Sequence, residues 1–515
     1  MTEPLNPTGV IARLATLRPH ADAVVDDHGR VDRAGLQTRV RRADGWLAEL
    51  GIGTGARFGL QLGNRIDTVA LLLAAWSRDA TPVNINRRYR ACEVAGLVRS
   101  HDLAALVTEQ DRLEEFDEIV GDGRGLAGHA AAGVTVVAPI RDRPVPATRV
   151  EYALLTGGTT GAPRLVAWTL RDIVLAAMYP RSHPDVSPDP DVLVRRSASG
   201  GERTLVAAPM DHAFGQWVTL AVLLGGGTAV LADRRPLDPE HLLALAERER
   251  CDAMNVSGQA FAGRLVEALD GGAPAPARLR QLITGGAPTL DATKRALWQH
   301  MPELEIVEGI GSSETGTLGR ATQHASCPGS LAPRFVPTSG TMVVEDDLSA
   351  AEPGRLGRLA RVGPVSLGYL DDRPDNRFAV VDGRRMAVLD DAAGLEPDGT
   401  FLLHGRLDRV INTGGEKVHP DEVETVLARH PEVTDCVVVG VPDETFGQRV
   451  VAVVKPAGPT FDEETVRRFA RSRLAGYKVP GRMVVVAGIP RLDSGKVDLA
   501  AARAIADRGR EEQAP

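Results

Sequence analysis

The stretch Leu154-Leu155-Thr156-Gly157-Gly158-Thr159-Thr160-Gly161-Ala162-Pro163-Arg164 sets three glycines and three threonines directly after an apolar pair. Glycine lets a backbone approach an anion closely and adopt positive φ, hydroxyls donate hydrogen bonds to phosphate oxygens, and Arg164 supplies positive charge. The composition suits a loop that cradles phosphate. It lacks the Gly-Lys-Ser/Thr ending of a P-loop, and taken alone it also fits a flexible surface turn.

Around this stretch the chain reads as α/β. Thr204 to Ala208, Thr228 to Ala232, Thr434 to Val441 and Val450 to Val454 are short β-branched runs, separated by helical stretches that end in Gly or Pro. A helix is expected to start at His419-Pro420, with Pro in the first turn, Asp421 and Glu422 at the positive dipole end, and Val423, Val426 and Leu427 on one face. Val69 to Trp76, the longest plain apolar run, is far short of the roughly 20 residues that cross a bilayer and reads as a buried helix. Arg141 to Arg149, Ser182 to Glu202 and the tail after Arg508 read as loops or ends.

At 515 residues the chain is longer than one core usually supports, so two or more packed units are expected. A 43% apolar and 25% charged composition is that of an ordinary globular protein. The net charge of −8 offers no basic face for nucleic acid. Four isolated cysteines (Cys92, Cys251, Cys327, Cys436) fit neither a disulfide framework nor a zinc cluster and read as core residues. Residues Met1 to Pro7 show no basic-then-apolar pattern of a targeting segment, so the cytoplasm is the expected compartment.

Further motifs follow the Thr156 to Thr160 loop in order. Gly285-Gly286-Ala287-Pro288 precedes Gly309-Ile310-Gly311-Ser312-Ser313-Glu314-Thr315-Gly316; Asp391 and Asp398-Gly399 precede Gly405-Arg406-Leu407-Asp408. Asn412-Thr413-Gly414-Gly415-Glu416-Lys417-Val418-His419-Pro420 and Pro490-Arg491-Leu492-Asp493-Ser494-Gly495-Lys496-Val497 complete the series. This ordered set resembles the acyl-CoA synthetase, adenylation-domain and luciferase superfamily over roughly Ala23 to Ala501. Asn84-Ile85-Asn86-Arg87-Arg88-Tyr89 and the forms of the glycine loops are similar to actinobacterial acyl-CoA synthetases related to steroid-degradation ligases.

The resemblance implies a large N-terminal adenylation domain of layered sheets and helices, 1–405, and a small mobile α+β C-terminal domain, 406–515. It implies ATP and Mg2+, with CoA as co-substrate. Thr156, Gly157, Gly158, Thr159, Thr160 and Arg164 would hold phosphates, Gly286, Ala287, Ile310, Gly311, Ser312 and Ser313 the adenine, and Asp391 and Arg406 the ribose. Thr156 and Glu314 would meet the metal, Lys496 would be the catalytic lysine, and Gly414 and Gly415 would flank the thiol path. His212, with Phe214 and Trp217 nearby in sequence, matches a histidine beside the acyl pocket, for which Ser257, Gly258, Gly286 and Gly311 are further lining candidates; a buried, satisfied histidine is the plainer reading. Asp408 matches the hinge.

The chain also departs from the pattern. Arg164 stands where most relatives carry Lys, Leu165 and Asp390 each replace a Gly, and Ile310 replaces an adenine-stacking aromatic. The expected activity is ligation of an aromatic, alicyclic or medium-chain acid to CoA, or to a carrier protein's phosphopantetheine, and a homodimer is compatible with the resemblance. Two alternatives remain at this point: a diazotase that activates nitrite as an adenylate for an aromatic amine, and an inactive ligase-like nucleotide-binding protein.

Overall fold

The computed structural model describes residues 5–109, 111–112, 116, 134–137, 150–156, 163–179, 185–233, 238–326, 333–371, 373, 375–413, 416–443, 446–492 and 496–508. Among them the strands form four sheets. In a nine-stranded sheet, six neighbouring strands run parallel: Glu305–Ser312, Gln281–Gly285, Ala253–Val256, Arg203–Val206, Thr228–Leu231 and Asp22–Asp26. Their short runs are buried almost throughout, as strands covered on both faces must be. A seven-stranded sheet has parallel strands Arg57–Gln61, Thr81–Asn84, Leu106–Glu109 and Tyr152–Leu155, with Leu165–Trp168 and Gly368–Tyr369 added antiparallel at one edge.

Between these sheets lies the helix Ile66–Ser77, buried at every residue from Ile66 to Trp76 except Asp67. It shares one core with the buried helix Ala213–Leu224. Both helices lack a polar face because both sides of each are covered. The sheets are also tied by charge. Arg87 reaches Asp233, past the Thr228–Leu231 strand, at 2.7 Å and Glu109, ending the Leu106–Glu109 strand, at 3.0 Å, while Arg65 lies 3.1 Å from Asp233.

A third sheet is antiparallel, in the order Thr341–Val344, Leu356–Val362, Arg384–Leu395, Phe378–Val381, with Phe401–Arg406 also paired to Arg384–Leu395. The fourth starts at Ile411–Thr413 and centres on the paired strands Val433–Asp443 and Gly447–Pro456. Helices Pro420–Leu427 and Glu463–Arg471 pack on one of its faces and Leu499–Arg508 on the other. Between the third and fourth sheets sits the turn Leu407–Arg409, and the Asp408 side chain lies outside the described residues. Arg409 is forked onto the fourth sheet's helix, donating to Asp421 and Glu424 at 2.6 Å each. Gly405 takes φ +93°, and a Cβ there would stand 1.9 Å from Asp421 Oδ2.

The strands and both helices expected from the sequence are present: the helix Pro420–Leu427 buries Val423, Val426 and Leu427 as its spacing requires. The segment Ser182 to Glu202 corrects the expectation of a loop. Pro190–Ser197 is an α-helix whose N-cap Asp189 accepts from Asp191 N at 2.8 Å and which buries Leu193, Val194 and Ser197. Two turns with as many polar as apolar residues are too short for periodicity to register. Cys92 is also corrected: it is exposed, because the buried stripe of the helix Ala91–Ser100 runs through Val94, Ala95, Leu97 and Val98. Cys251 is buried and Cys436 half-buried, whereas Cys327 and residues 141–149 lie outside the described residues. No described helix is long and apolar enough to cross a membrane.

One buried ion pair tests how the nine-stranded sheet is held. Lys294 and Glu308 pair with side chains 2% and 6% exposed, and Glu308 also accepts from Thr289 N at 3.1 Å. Removing one partner strands the other charge in the core, so Lys294→Ala is expected to lower unfolding free energy by about 3–5 kcal/mol in urea titration. Lys294→Met combined with Glu308→Gln should recover most of that loss, since no lone charge is left buried.

Candidate active site

The phosphate-type loop is closed at its base by a small ladder. Tyr152–Leu155 pairs with Leu165–Trp168, and Thr156 N donates to Arg164 O at 2.9 Å while Arg164 N donates to Thr156 Oγ1 at 3.2 Å. Gly157, Gly158, Thr159 and Thr160 lie outside the described residues. The Arg164 side chain is directed to carboxylates: it holds both oxygens of Asp371, at 3.0 and 2.8 Å, and reaches Asp375 at 2.7 Å. Its guanidinium also lies over the Tyr369 ring, 3.6 Å from the centroid. Leu165, the other departure here, is buried.

Next to this ladder the strands Glu305–Ser312 and Gly316–Gln323 form a hairpin with a register shift at Ile310/Gly311. Ser312 Oγ accepts from Glu314 N at 3.2 Å and Thr315 N at 3.3 Å, which shapes the turn. Trp168 Nε1 donates to Ser313 O at 2.8 Å, so an indole of the seven-stranded sheet fastens a turn of the nine-stranded one. A Cβ on Gly311 would meet Gly316 O at 2.2 Å, leaving room only for glycine. Beneath the turn, Arg361 is buried and donates to Thr317 O at 2.9 Å, Ala176 O at 3.2 Å and Thr315 O at 3.4 Å. Burial lowers its pKa to about 10 against the opposing pull of Asp172. Ala176 belongs to a π-helical turn, Val174–Met178, fused to the end of the helix Leu170–Ile173.

Glu314 emerges from this turn only 7% exposed. Tyr369 Oη donates to its Oε1 at 2.5 Å, and Arg377 Nη1 is 3.5 Å from the same oxygen and 2.7 Å from Tyr369 Oη. The Tyr369 hydroxyl is pushed well above the ordinary phenol range by burial and then by the Glu314 charge, so it stays a donor. Arg377 continues to Asp390 at 3.1 Å, and Arg358 takes the other Asp390 oxygen at 3.3 Å.

Asp391 and Arg406 face each other across the Arg384–Leu395 and Phe401–Arg406 strands. Lys496 comes to the same place from the fourth sheet, its backbone carbonyl accepting from Leu492 N at 2.7 Å. Although the residue has exposed surface, desolvation of the ammonium lowers its pKa, and Arg406 lowers it further; Glu314 and Asp391 act the other way. Three of the charged residues that sequence singled out, Glu314, Asp391 and Arg406, thus act on the charge of a fourth, Lys496.

Gly286 adopts φ +78° with open space where a Cβ would project, whereas Gly258 at φ +53° is pressed against Ala287 O. Phe214 packs on Gly285, so the start of the helix Ala213–Leu224 borders this strand end. His212 caps that helix half-buried, its Nε2 3.9 Å from Asp211 Oδ1 and outside hydrogen-bond range. Ile310 is half-buried on a cluster that includes Leu318, Phe335 and Phe401. Gly414 and Gly415 lie outside the described residues. Tyr369, Arg377, Arg358 and Arg361 escaped the sequence reading; only Gly368-Tyr369, a glycine at φ +118° before an aromatic, carries a local signal.

The sequence model of the AMP-binding enzyme family matches residues 11–370, and that of the AMP-binding enzyme C-terminal domain matches 422–496. The chain is 35% identical to "Medium-chain acyl-CoA ligase Mig" of Mycobacterium avium, covering 88% of this chain and 86% of that protein. It is 31% identical to "3-oxocholest-4-en-26-oate--CoA ligase" of Rhodococcus rhodochrous, covering 96% and 94%. Among solved structures, amide bond synthetase McbA from Marinactinospora thermotolerans superposes with a TM-score of 0.79 over 97% of this chain and 99% of that one at 24% identity, a likeness of fold. With its N-terminal sheets and its C-terminal sheet each matched by the corresponding model, the chain belongs to the AMP-binding enzyme family.

Proposed function

We propose that this protein is an ATP-dependent acid–CoA ligase that activates an aromatic, alicyclic or medium-chain carboxylic acid as its adenylate and transfers the acyl group to CoA. The observation that carries the reading is the convergence of Lys496 with Glu314, Asp391 and Arg406. Two relatives named as acyl-CoA ligases, each above 30% identity, support it. We place the division between the two domains at 405/406, one residue before the third sheet's last strand ends at Arg406 and Leu407–Arg409 leads into the fourth sheet.

In this reading a substrate carboxylate oxygen attacks the α-phosphorus of ATP, the bond to the bridging oxygen breaks and pyrophosphate leaves. Such a step needs charge neutralised and groups aligned rather than covalent help from the protein. Lys496 bridges carboxylate and phosphate oxygens, Asp391 accepts from the ribose hydroxyls with Arg406 beside it, and Gly286 leaves its opening for the base. The thiol then attacks the acyl carbon and AMP departs.

Magnesium fits the residues present. No group of three His, Cys, Asp or Glu side chains among the described residues could hold a metal by itself. Mg2+ is commonly held by one or two carboxylates together with substrate phosphates, and Glu314 supplies one such carboxylate. When bound there the ion would neutralise developing phosphate charge. Thr156, the second expected ligand, has its hydroxyl engaged with the Arg164 backbone. Compartment and thiol acceptor follow the same reading: a cytoplasmic enzyme using CoA.

Two measurements test this. AMP and pyrophosphate release should require a carboxylic acid, with a thioester formed when CoA is added; release that instead requires nitrite and an aromatic amine, with no response to CoA, would replace the ligase by a diazotase. Lys496→Ala should slow adenylate formation by about 100-fold or more while sparing thioester formation from a supplied acyl-adenylate. Equal loss of both steps would remove Lys496 from the assigned role.

A further inference from the structure

Arg377 occupies an unusual position: one guanidinium meets three sheets. Through Nη1 it lies against Glu314, on the hairpin of the nine-stranded sheet, and against Tyr369, on the edge strand of the seven-stranded sheet. Through Nη2 it holds Asp390, on the Arg384–Leu395 strand of the third sheet. Asp390 is the immediate neighbour of Asp391, and two adjacent carboxylates beside a triphosphate would repel it unless one were neutralised. Arg377 and Arg358 each take one Asp390 oxygen, at 3.1 and 3.3 Å.

Arg164 cannot do this work, because Asp371 and Asp375 occupy its guanidinium. It serves Tyr369 instead, stacking on the ring whose hydroxyl donates to Glu314. The residues at two of the family-unlike positions, Arg164 and Asp390, therefore both converge on the contacts of Arg377 rather than lying scattered in the site.

We propose that Arg377 is a positioning residue for nucleotide: it fixes Glu314 relative to the Asp390–Asp391 strand before ATP arrives, and neutralises Asp390 so that Asp391 faces the nucleotide alone. The effect on turnover rests on the ligase reading above; the effect on nucleotide affinity does not. A side chain held between two fixed partners loses little further freedom on binding, and that preorganisation appears as affinity.

The test uses the full-length protein with Mg2+ and ATP, measuring the ATP dissociation constant by calorimetry beside KM for ATP, KM for the acid and kcat for pyrophosphate release. Arg377→Ala should raise both the dissociation constant and KM for ATP about tenfold or more and leave the acid KM within about twofold. Arg377→Lys should restore part of the affinity. Adding Asp390→Asn to Arg377→Ala should weaken ATP binding by less than the product of the single effects, because both act on one contact. Unchanged ATP binding in Arg377→Ala would overturn the proposal, as would equal rises in both KM values, which mark a merely structural role. Should Arg377→Ala fail to fold, Arg377→Lys and Asp390→Asn read the same contact from either side. If no acid supports turnover, the ligase reading fails and the ATP dissociation constant still decides for or against Arg377.

Discussion

A carboxylate buried to 7% exposure governs the architecture of this site. A charge withdrawn from water is tolerable only when paired and hydrogen-bonded, so Glu314 requires Tyr369 and Arg377 at its Oε1. Those partners come from other sheets, which fixes how the sheets meet. The turn that presents Glu314 must in turn be rigid, and here the backbone supplies what side chains cannot: Gly311 is confined to glycine by Gly316, and Arg361 collects carbonyls from both the hairpin and the π-helical turn. Folding and the site's electrostatics thus satisfy one requirement together.

The same principle recurs elsewhere. Arg87 and Arg65 share Asp233 and Glu109 where the first two sheets abut, and Lys294 neutralises Glu308 behind the Gly286 turn. Arginine predominates because its planar fork serves two acceptors at once, as with Asp371 and Arg164. A protein joined from sheets by such forks has defined junctions, since a fork is satisfied in one geometry only.

Much of this was legible in the sequence and some was not, for identifiable reasons. Strands such as Thr228–Leu231 show as β-branched runs and the helix Pro420–Leu427 as an apolar stripe at helical spacing, so both are legible locally. Pro190–Ser197 escaped because two turns give a stripe of only three buried residues after Pro190. The motifs named Glu314, Asp391, Arg406 and Lys496, and the fold brings these together. Motifs did not name Arg377, which lies 63 residues from Glu314 and has no local feature to distinguish it from a solvated arginine. Arg164 was read as a phosphate ligand from its place after the glycine loop; its capture by Asp371 is a contact across 207 residues, which no local reading reveals. Asp390 departs from the family pattern in sequence alone; its partners Arg358 and Arg377 are 32 and 13 residues away.

The Arg409 fork has a mechanical corollary. Bound to both Asp421 and Glu424, Arg409 belongs with the fourth sheet, on which Val497, the neighbour of Lys496, also packs. Phe401–Arg406 is woven into the third sheet, so any swivel between the two bodies has its fulcrum confined to the few bonds around Leu407 and Asp408. A torsion confined to those bonds would carry Lys496 along with the whole fourth sheet. Asp421 rests where a side chain on Gly405 would be, so only a glycine there lets the fourth sheet's helix come this close to the third sheet's last strand.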